Sequence, residues 1–420
     1  VTHTAIQAAT WAVCVAAFVL ILWRPWRIPE YAWAAGGAVL LLALGLIAPG
    51  NAWRAVRAGT SVYLFLAGMM LLAQLARQHG VFDWLAAVAM QRARGSQLRL
   101  FALVYGIGIV VTALLSNDAT AVLLTPAVLA VVRRAKVSPL PYLFACALIA
   151  NAASFLLPIS NPANLIVFDG HLPSLGHWLH IFLLPALCAI AATFAVLWMH
   201  SRAELHPPIE EANEPARLNP LGRRARLGVL LAAAALLTVS ALGGPIGPAT
   251  AAAGLAVMIF VSGARWRPMV SALRNISWGI LPLVAGLFVL VRALEGVGVR
   301  ALSTCGLETA ARWPGFPGSA ATAFGFGVAA NAINNLPTGL IGAAAVKAAH
   351  ASLATHAAVL LGINLGPNLS VTGSLATILW LMALRRENIQ VTGWQFLRIG
   401  MLAMPPALLL AVAALQITGR

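Results

Sequence analysis

The sequence predicts an all-α polytopic membrane protein of two inverted-topology repeats, each with a re-entrant hairpin followed by a discontinuous transmembrane helix. Three observations predict it. Of 420 residues, 61% are hydrophobic and 9% charged, with a mean hydropathy of +0.88, whereas soluble globular proteins carry roughly 25% charged residues. Apolar runs of about 17–22 residues recur along the chain, the length a helix needs to cross a bilayer. Two polar pentapeptides, Ser116-Asn117-Asp118-Ala119-Thr120 and Asn334-Asn335-Leu336-Pro337-Thr338, each interrupt an apolar stretch. Polar tips at matching places mark a transporter made of two repeats, with its site where the tips meet. The apolar runs are continuous rather than alternating, which excludes an outer-membrane barrel.

The net charge of +16 comes from 27 Lys and Arg that sit mostly in short loops between apolar runs. Positive-inside cytoplasmic loops account for it. No Arg stripe interleaved with aromatics points to nucleic acid. The four cysteines, Cys14, Cys146, Cys188 and Cys305, are scattered without a C-x-x-C pair, so neither a disulfide framework nor a fixed metal site is expected. His171, His177 and His180 gather no Cys or acid at ligand spacing except Asp169.

In chain order, residues 4–22 read as a first membrane helix anchored by Trp23, Arg24, Trp26 and Arg27, rather than as a cleaved signal. Residues 31–48 span next, 52–59 lie at the interface, and Ser61–Ala76 span again. The first membrane repeat covers 1–199, with a hairpin at about 99–133 and a broken helix at about 139–168. The hydrophilic segment 200–226, with Pro207-Pro208, Glu210, Glu211 and Glu214, reads as a cytoplasmic linker. The second membrane repeat covers 227–420, with a hairpin at about 320–347 and a broken helix at about 356–385.

The repeat has a register. Ala67-Gly68 matches Ala285-Gly286 and Gly80-Val81 matches Gly298-Val299, at the offset of 218 that also maps Asn117 onto Asn335 and Thr120 onto Thr338. Arg99 precedes the first tip element and Arg133, Arg134 and Lys136 follow it, so both ends belong on the basic, cytoplasmic side. The returning run Ala119–Val132 has 14 residues, about 21 Å of helix, against a hydrocarbon core of about 30 Å. A re-entrant hairpin satisfies both facts. The mouth of the second hairpin, Gly315–Ser319, carries no charge, so that hairpin is expected to open outward.

After each hairpin comes an Asn/Pro/Gly-broken stretch, Asn151 to Asn164 and Asn364 to Thr377. Aligning Asn151 with Asn364 puts Asn161 on Ser374 and Asn164 on Thr377. Such breaks are tolerated only inside protein or along a wet cavity. The candidate substrate or ion site is therefore Ser116, Asn117, Asp118, Thr120, Asn151, Ser160, Asn161, Asn164, Asn334, Asn335, Thr338, Asn364, Thr372, Ser374 and Thr377. Any one of these residues serves equally well as interhelical glue. Asp118, deepest in an apolar stretch of the eleven acids, is the proton-coupling candidate, because a membrane-embedded carboxylate is expensive. Its bland alternative is an N-cap of the returning half-helix. Arg292 reads as a snorkelling cation or as the partner of an acid.

These tips and breaks resemble the bacterial arsenite/antimonite efflux permeases (ArsB type) of the ion transporter superfamily. The likeness spans nearly the whole chain. It is most specific in Asn117-Asp118-Ala119 with Leu124-Thr125-Pro126, in Ser160-Asn161 with Asn164, in Asn334 to Thr338, and in Leu365-Gly366-Pro367 with Gly373 to Thr377. It implies a multi-pass protein of the bacterial inner membrane that exports arsenite or antimonite by proton antiport with alternating access. It also implies no cofactor, and names a soluble arsenite-stimulated ATPase subunit as a candidate partner. In that family an acid stands at Asn151, another at Asn364, and a basic residue at Asn368. Losing both acids while keeping Asp118 leaves the coupling ion and the substrate open. Protons or Na⁺ would suit the former.

Arsenous acid is a small neutral trihydroxide, which a neutral hydrogen-bonding cage suits; thiolate ligation would need cysteines nearer the tips. The rivals are a Na⁺/H⁺ antiporter, with Asp118 and carbonyls around the cation, and a dicarboxylate carrier, which tips without Lys or Arg disfavour. An intramembrane enzyme would need an acid/base or nucleophile set, and the tips hold no His. No Walker sequence is present, and Gly325-Phe326-Gly327 lacks the strand and third glycine of a dinucleotide loop.

Overall fold

The computed structural model describes residues 3–209, 216–263 and 265–419. The described chain is helical throughout. The first half holds α1 (His3–Trp23), α2 (Glu30–Ala43), α3 (Pro49–Ala58), α4 (Thr60–Gln78), α5 (Val81–Ala93), α6 (Gln97–Leu114), α7 (Thr125–Arg134), α8 (Leu140–Ala152), α9 (Pro162–Val167) and α10 (Leu175–Ser201). The second holds α11 (Pro220–Ala241), α12 (Ile246–Ser262), α13 (Trp266–Arg274), α14 (Ile280–Gly296), α15 (Val299–Ala311), α16 (Phe316–Ile333), α17 (Asn335–Ala348), α18 (Leu353–Leu365), α19 (Leu375–Arg386) and α20 (Gly393–Thr418). Six of the described helices, α1, α4, α6, α10, α11 and α20, are long and apolar enough to cross a bilayer, and α14 meets α15 at 76°.

Local chemistry starts these helices. Ser96, Asn161, Asn219, Ser352, Ser374 and Thr392 each accept a backbone N–H at the first turn, which satisfies donors that lipid would leave bare. Of the segment 200–226, His200 and Ser201 belong to α10 and Pro220–Arg226 to α11. Glu210, Glu211 and Glu214 lie outside the described residues. Ile209 is buried, and its N–H donates to the Gly95 carbonyl at 3.0 Å, against the base of α6.

The halves repeat element by element. Val81–Ala93 recurs 218 positions on as Val299–Ala311, and Leu140–Ala152 recurs 213 positions on as Leu353–Leu365. The offset shortens between the hairpin tip and the broken helix. The halves also interlock, α4 packing on α12 and α14 on α2. Gly68 and Gly286, one offset apart, sit at these two crossings. A Cβ on Gly68 would fall 2.2 Å from the Thr250 carbonyl oxygen, and one on Gly286 would fall 2.6 Å from the Ala34 carbonyl carbon. Small residues let backbones approach this closely in membranes, where van der Waals packing holds helices together.

The direction of each hairpin follows from its mouth. Arg133, at the end of the first, donates to the Glu387 carboxylate at 2.7 Å just beyond α19. Lys347, at the end of the second, donates to the Asp169 carboxylate at 2.9 Å just beyond α9. The broken helix α8–α9 therefore starts beside the first mouth and finishes beside the second, and α18–α19 runs the other way. The mouths lie at opposite ends of the broken helices, which is the inverted repeat. Both ion pairs are exposed and contribute about 1 kcal/mol or less; they report position rather than secure it.

Gly68→Leu or Gly286→Leu is expected to force α12 or α2 away, at the 1–3 kcal/mol or more that overpacking costs. The check is the monodisperse fraction on size exclusion in detergent. The same substitution at Gly50, whose Cβ would meet nothing within 4 Å, should leave that fraction unchanged.

Candidate functional site

The first tip is a turn that its own side chains satisfy. Ser116 Oγ accepts the Ala119 N–H at 3.1 Å, and Asn117 Oδ1 accepts the Asp118 N–H at 3.0 Å. The Asn117 N–H donates to the Ser160 carbonyl at 3.2 Å, fastening the tip to the break between α8 and α9. The return begins as a π-helical stretch, Ala119–Leu124, before Thr125-Pro126 opens α7. Pro126 brings no N–H, and the Thr125 hydroxyl donates to the Thr120 carbonyl at 3.3 Å. Such π-turns gather at functional sites. Thr120 and Thr112 share a hydroxyl–hydroxyl bond of 2.8 Å that pins the two arms together.

The cap that is the alternative role for Asp118 is made by Ser116. The Asp118 side chain makes no cap bond, is half-buried, and has no ion-pair or hydrogen-bond partner among the described residues. It lines a crevice of about 120 Å³ between the tip, α4 and the start of α14, with Ser116, Met70, Gln74 and Ser277. Arg77, at the end of α4, marks the crevice's mouth on the basic side.

The second tip follows the same plan with different chemistry. Asn334 adopts φ +78°, a region disfavoured for residues with a Cβ. Its amide donates to the Thr372 carbonyl at 3.4 Å and its side-chain oxygen accepts the Leu336 N–H at 3.4 Å. Thr338 Oγ donates to the Asn334 carbonyl at 2.8 Å. Asn335 is buried and makes no side-chain hydrogen bond to a described residue. Asn331, one turn earlier, ties the tip to the second break: its amide donates to the Gly366 carbonyl at 2.8 Å, and its side-chain oxygen accepts Ser370 Oγ at 2.6 Å. Thr372 Oγ donates to the Asn331 carbonyl at 2.8 Å.

At the breaks, Asn161 and Ser374 hold equivalent places. Each is an extended N-cap, Asn161 accepting the Ala163 N–H at 2.9 Å and Ser374 the Thr377 N–H at 3.1 Å. Thr377 Oγ also bonds Ser374 Oγ at 2.9 Å, and Ser160 Oγ donates to the Ala113 carbonyl at 3.2 Å. The second half-helices then cross to the opposite hairpin, α9 onto α17 and α19 onto the stretch 119–124.

Between the breaks lies a neutral amide cluster. Asn364 Oδ1 accepts from Ser154 Oγ at 2.5 Å and from Asn161 Nδ2 at 2.7 Å. Asn364 Nδ2 donates to Asn164 Oδ1 at 3.1 Å and to the Leu360 carbonyl at 3.0 Å. Every hydrogen-bonding position of that amide is filled. Asn151 Nδ2 donates to Asn368 Oδ1 at 3.0 Å, and Asn368 Nδ2 to the Leu148 carbonyl at 3.1 Å. These residues are buried, and none lines the crevice that reaches Asp118.

The sequence-derived set therefore separates by place. Ser116, Asn117, Asp118 and Thr120 form one tip, and Asn334, Asn335 and Thr338 the other. Ser160, Asn161, Thr372, Ser374 and Thr377 line the breaks, while Asn151, Asn164 and Asn364 sit in the central cluster. Sequence reasoning missed Ser154, Asn331, Asn368 and Ser370 as members. Asn331 carried a signal, one helical turn before Asn334-Asn335 and one after Gly327.

Comparison with known proteins agrees with this architecture. The chain is 28% identical over 428 residues to the arsenical pump membrane protein of Escherichia coli (strain K12), covering 97% of each. It is 27% identical over 428 residues, again 97% of each, to that of Yersinia enterocolitica. The crystal structure of the Alcanivorax borkumensis YdaH transporter, described as having an unusual topology, superposes with a TM-score of 0.57 over 98% of both chains at 14% identity, a likeness of fold. Residues 18–366 match the family described as citrate transporter, CitMHS, and the chain belongs to that family of membrane transporters.

Proposed function

We propose that this chain is a secondary active transporter that exports trivalent arsenic or antimony, as arsenite or antimonite, across the bacterial inner membrane by proton antiport with alternating access. The observation that carries the reading is Asp118, a carboxylate without a partner that faces the crevice at the head of an otherwise neutral, hydrogen-bonding tip. Relatives named arsenical pump membrane proteins, matched along 97% of their length, support the same substrate.

Size and charge fit. A crevice of about 120 Å³ holds a small solute, which suits a trihydroxide on one central atom. Citrate, for which the family is described, brings several carboxylates, and neither tip offers Lys or Arg to receive them. Asp118 would repel them. In the proposed cycle the tip and break groups Ser116, Asn117, Asn335, Ser374 and Thr377 exchange hydrogen bonds with the substrate hydroxyls. Asp118 accepts the substrate's hydrogen bonds when ionised and holds the counter-transported proton when the substrate has left. Asn151, Asn161, Asn164 and Asn364 keep the two breaks in register. Residues 1–199 and 227–420 are the two repeats of the carrier, joined by the cytoplasmic segment 200–226.

Everted vesicles carrying the protein should accumulate arsenite when energised with a proton gradient, and an uncoupler should abolish uptake. Asp118→Asn should reduce gradient-driven uptake to background. Washed vesicles hold no soluble ATPase, so uptake in them makes such a subunit dispensable. A folded wild type that takes up no arsenite, or an Asp118→Asn variant with full uptake, overturns the reading. Uptake that follows a sodium gradient instead assigns Asp118 to Na⁺.

The tip and the central cluster should separate in a stability measurement. Asn364→Ala removes the partners of Asn161 Nδ2 and Asn164 Oδ1, and each unsatisfied buried group costs about 1–3 kcal/mol. Its melting midpoint in detergent, followed by tryptophan fluorescence, should fall well below wild type. Asp118→Asn removes no hydrogen bond and should melt with wild type.

A further inference from the structure

A second and larger crevice opens on the opposite face from the mouth of the first hairpin. It measures about 470 Å³ and runs between α17 and α9 on one side and α3, α4 and α14 on the other. It holds none of the tip residues, because its α17 lining begins at Leu340, past Thr338. From Leu340 to Lys347 the wall covers two helical turns, about 10 Å. The inner part is apolar, with Val62, Leu165, Phe288, Val291, Leu340 and Ala343; the outer rim carries Arg54, Arg292, Arg300 and Lys347 with Asp169 and Glu295.

The rim charges do not cancel. Arg292 pairs with Glu295 at 2.8 Å and Lys347 with Asp169 at 2.9 Å. Arg54 donates only to neutral acceptors, Asn51 Oδ1 at 2.5 Å and the Gly50 carbonyl at 3.3 Å. Arg300 has no acid within ion-pair distance among the described residues. A smaller cavity of about 300 Å³ shares Arg292, Glu295 and Arg300 and adds the amides of Gln7 and Asn51. An apolar shaft under an uncompensated cationic rim, with a polar annex beside it, suits a molecule with an acyl chain and an anionic head. A neutral polyhydroxide would gain little from the shaft.

We infer that this crevice binds an anionic phospholipid, its phosphate between Arg54 and Arg300, one acyl chain along the shaft towards Phe288 and Leu340, and its headgroup in the annex of Gln7 and Asn51. Bound there, the lipid stands between the second hairpin and helices α4 and α14, and holds that face of the molecule apart.

The test uses delipidated full-length protein in detergent, with native mass spectrometry for retained lipid and thermal melting for protection. Phosphatidylglycerol should be retained and should raise the melting midpoint, whereas phosphatidylcholine and inorganic phosphate should not. Arg54→Gln with Arg300→Gln should weaken retention about 30-fold, from the attraction of two cations near a lipid phosphate. Ala343→Phe, which fills the shaft and leaves the cations in place, should weaken it as well. Equal protection by phosphatidylcholine, equal protection by inorganic phosphate, or full retention by both variants overturns the assignment. The comparison among the three additives needs only the wild-type protein, so it decides even where a variant misfolds.

Discussion

The Asn364 amide is the point on which the two repeats turn. Two helices broken in the membrane interior leave backbone and side-chain polar groups where lipid offers no partner. Here the breaks are brought together so that each satisfies the other. Asn364 takes Ser154 and Asn161 on its oxygen and gives to Asn164 and Leu360 from its nitrogen, and Asn151 meets Asn368 across the same crossing. A neutral cluster of this kind avoids the several kcal/mol per ion that a buried ion pair loses on desolvation. It also leaves the crossing without a titratable side chain among these residues, and Asp118, the proposed proton carrier, stands apart from it at the first tip.

That separation explains why the two tips differ although their backbones repeat. Each tip bonds its own break, Asn117 to the Ser160 carbonyl and Asn334 to the Thr372 carbonyl. Only the first carries an acid, and the Asp118 side chain has no ion-pair or hydrogen-bond partner among the described residues. A carboxylate that neither an ion pair nor a cap engages keeps its hydrogen-bonding capacity free for a proton or a substrate, which a capping carboxylate does not.

Much of this was legible in the sequence, for a physical reason. A polar residue inside an apolar run must be satisfied, so Asn117, Asn335, Asn161 and Ser374 announce sites of broken structure, and the matching order of tip and break in the two halves announces the repeat. The alignment of Asn161 with Ser374 follows a structural equivalence, since both start a half-helix as caps. The sequence does not say which partner satisfies each residue. Asn364 reads the same whether its amide meets a substrate or Ser154, and Asp118 reads as a coupling group or as a cap until Ser116 is seen to make the cap bond. Asn331 and Ser370 escaped because a lone Asn on a helix and a Ser near a break are ordinary interhelical glue. Their importance arises from Gly366 and Gly327, whose missing side chains let α16 approach the second break closely.

The same hydrogen bonds constrain how the proposed carrier could move. A tip fastened to its break by backbone and amide bonds cannot swing alone without stranding groups in the membrane interior. The breaks are in turn fastened to each other through Asn364. The hairpins, the broken helices, and α10 with α20 packed against each other therefore form a unit whose internal surfaces are expensive to separate. The surfaces between that unit and α4 or α14 are different. Crevices of about 120 and 470 Å³ already open there, one on each face. Separating surfaces there breaks few hydrogen bonds. Access to Asp118 would then change by displacement of the whole unit against α4 and α14, and the free energy of that displacement would depend on what fills the two crevices.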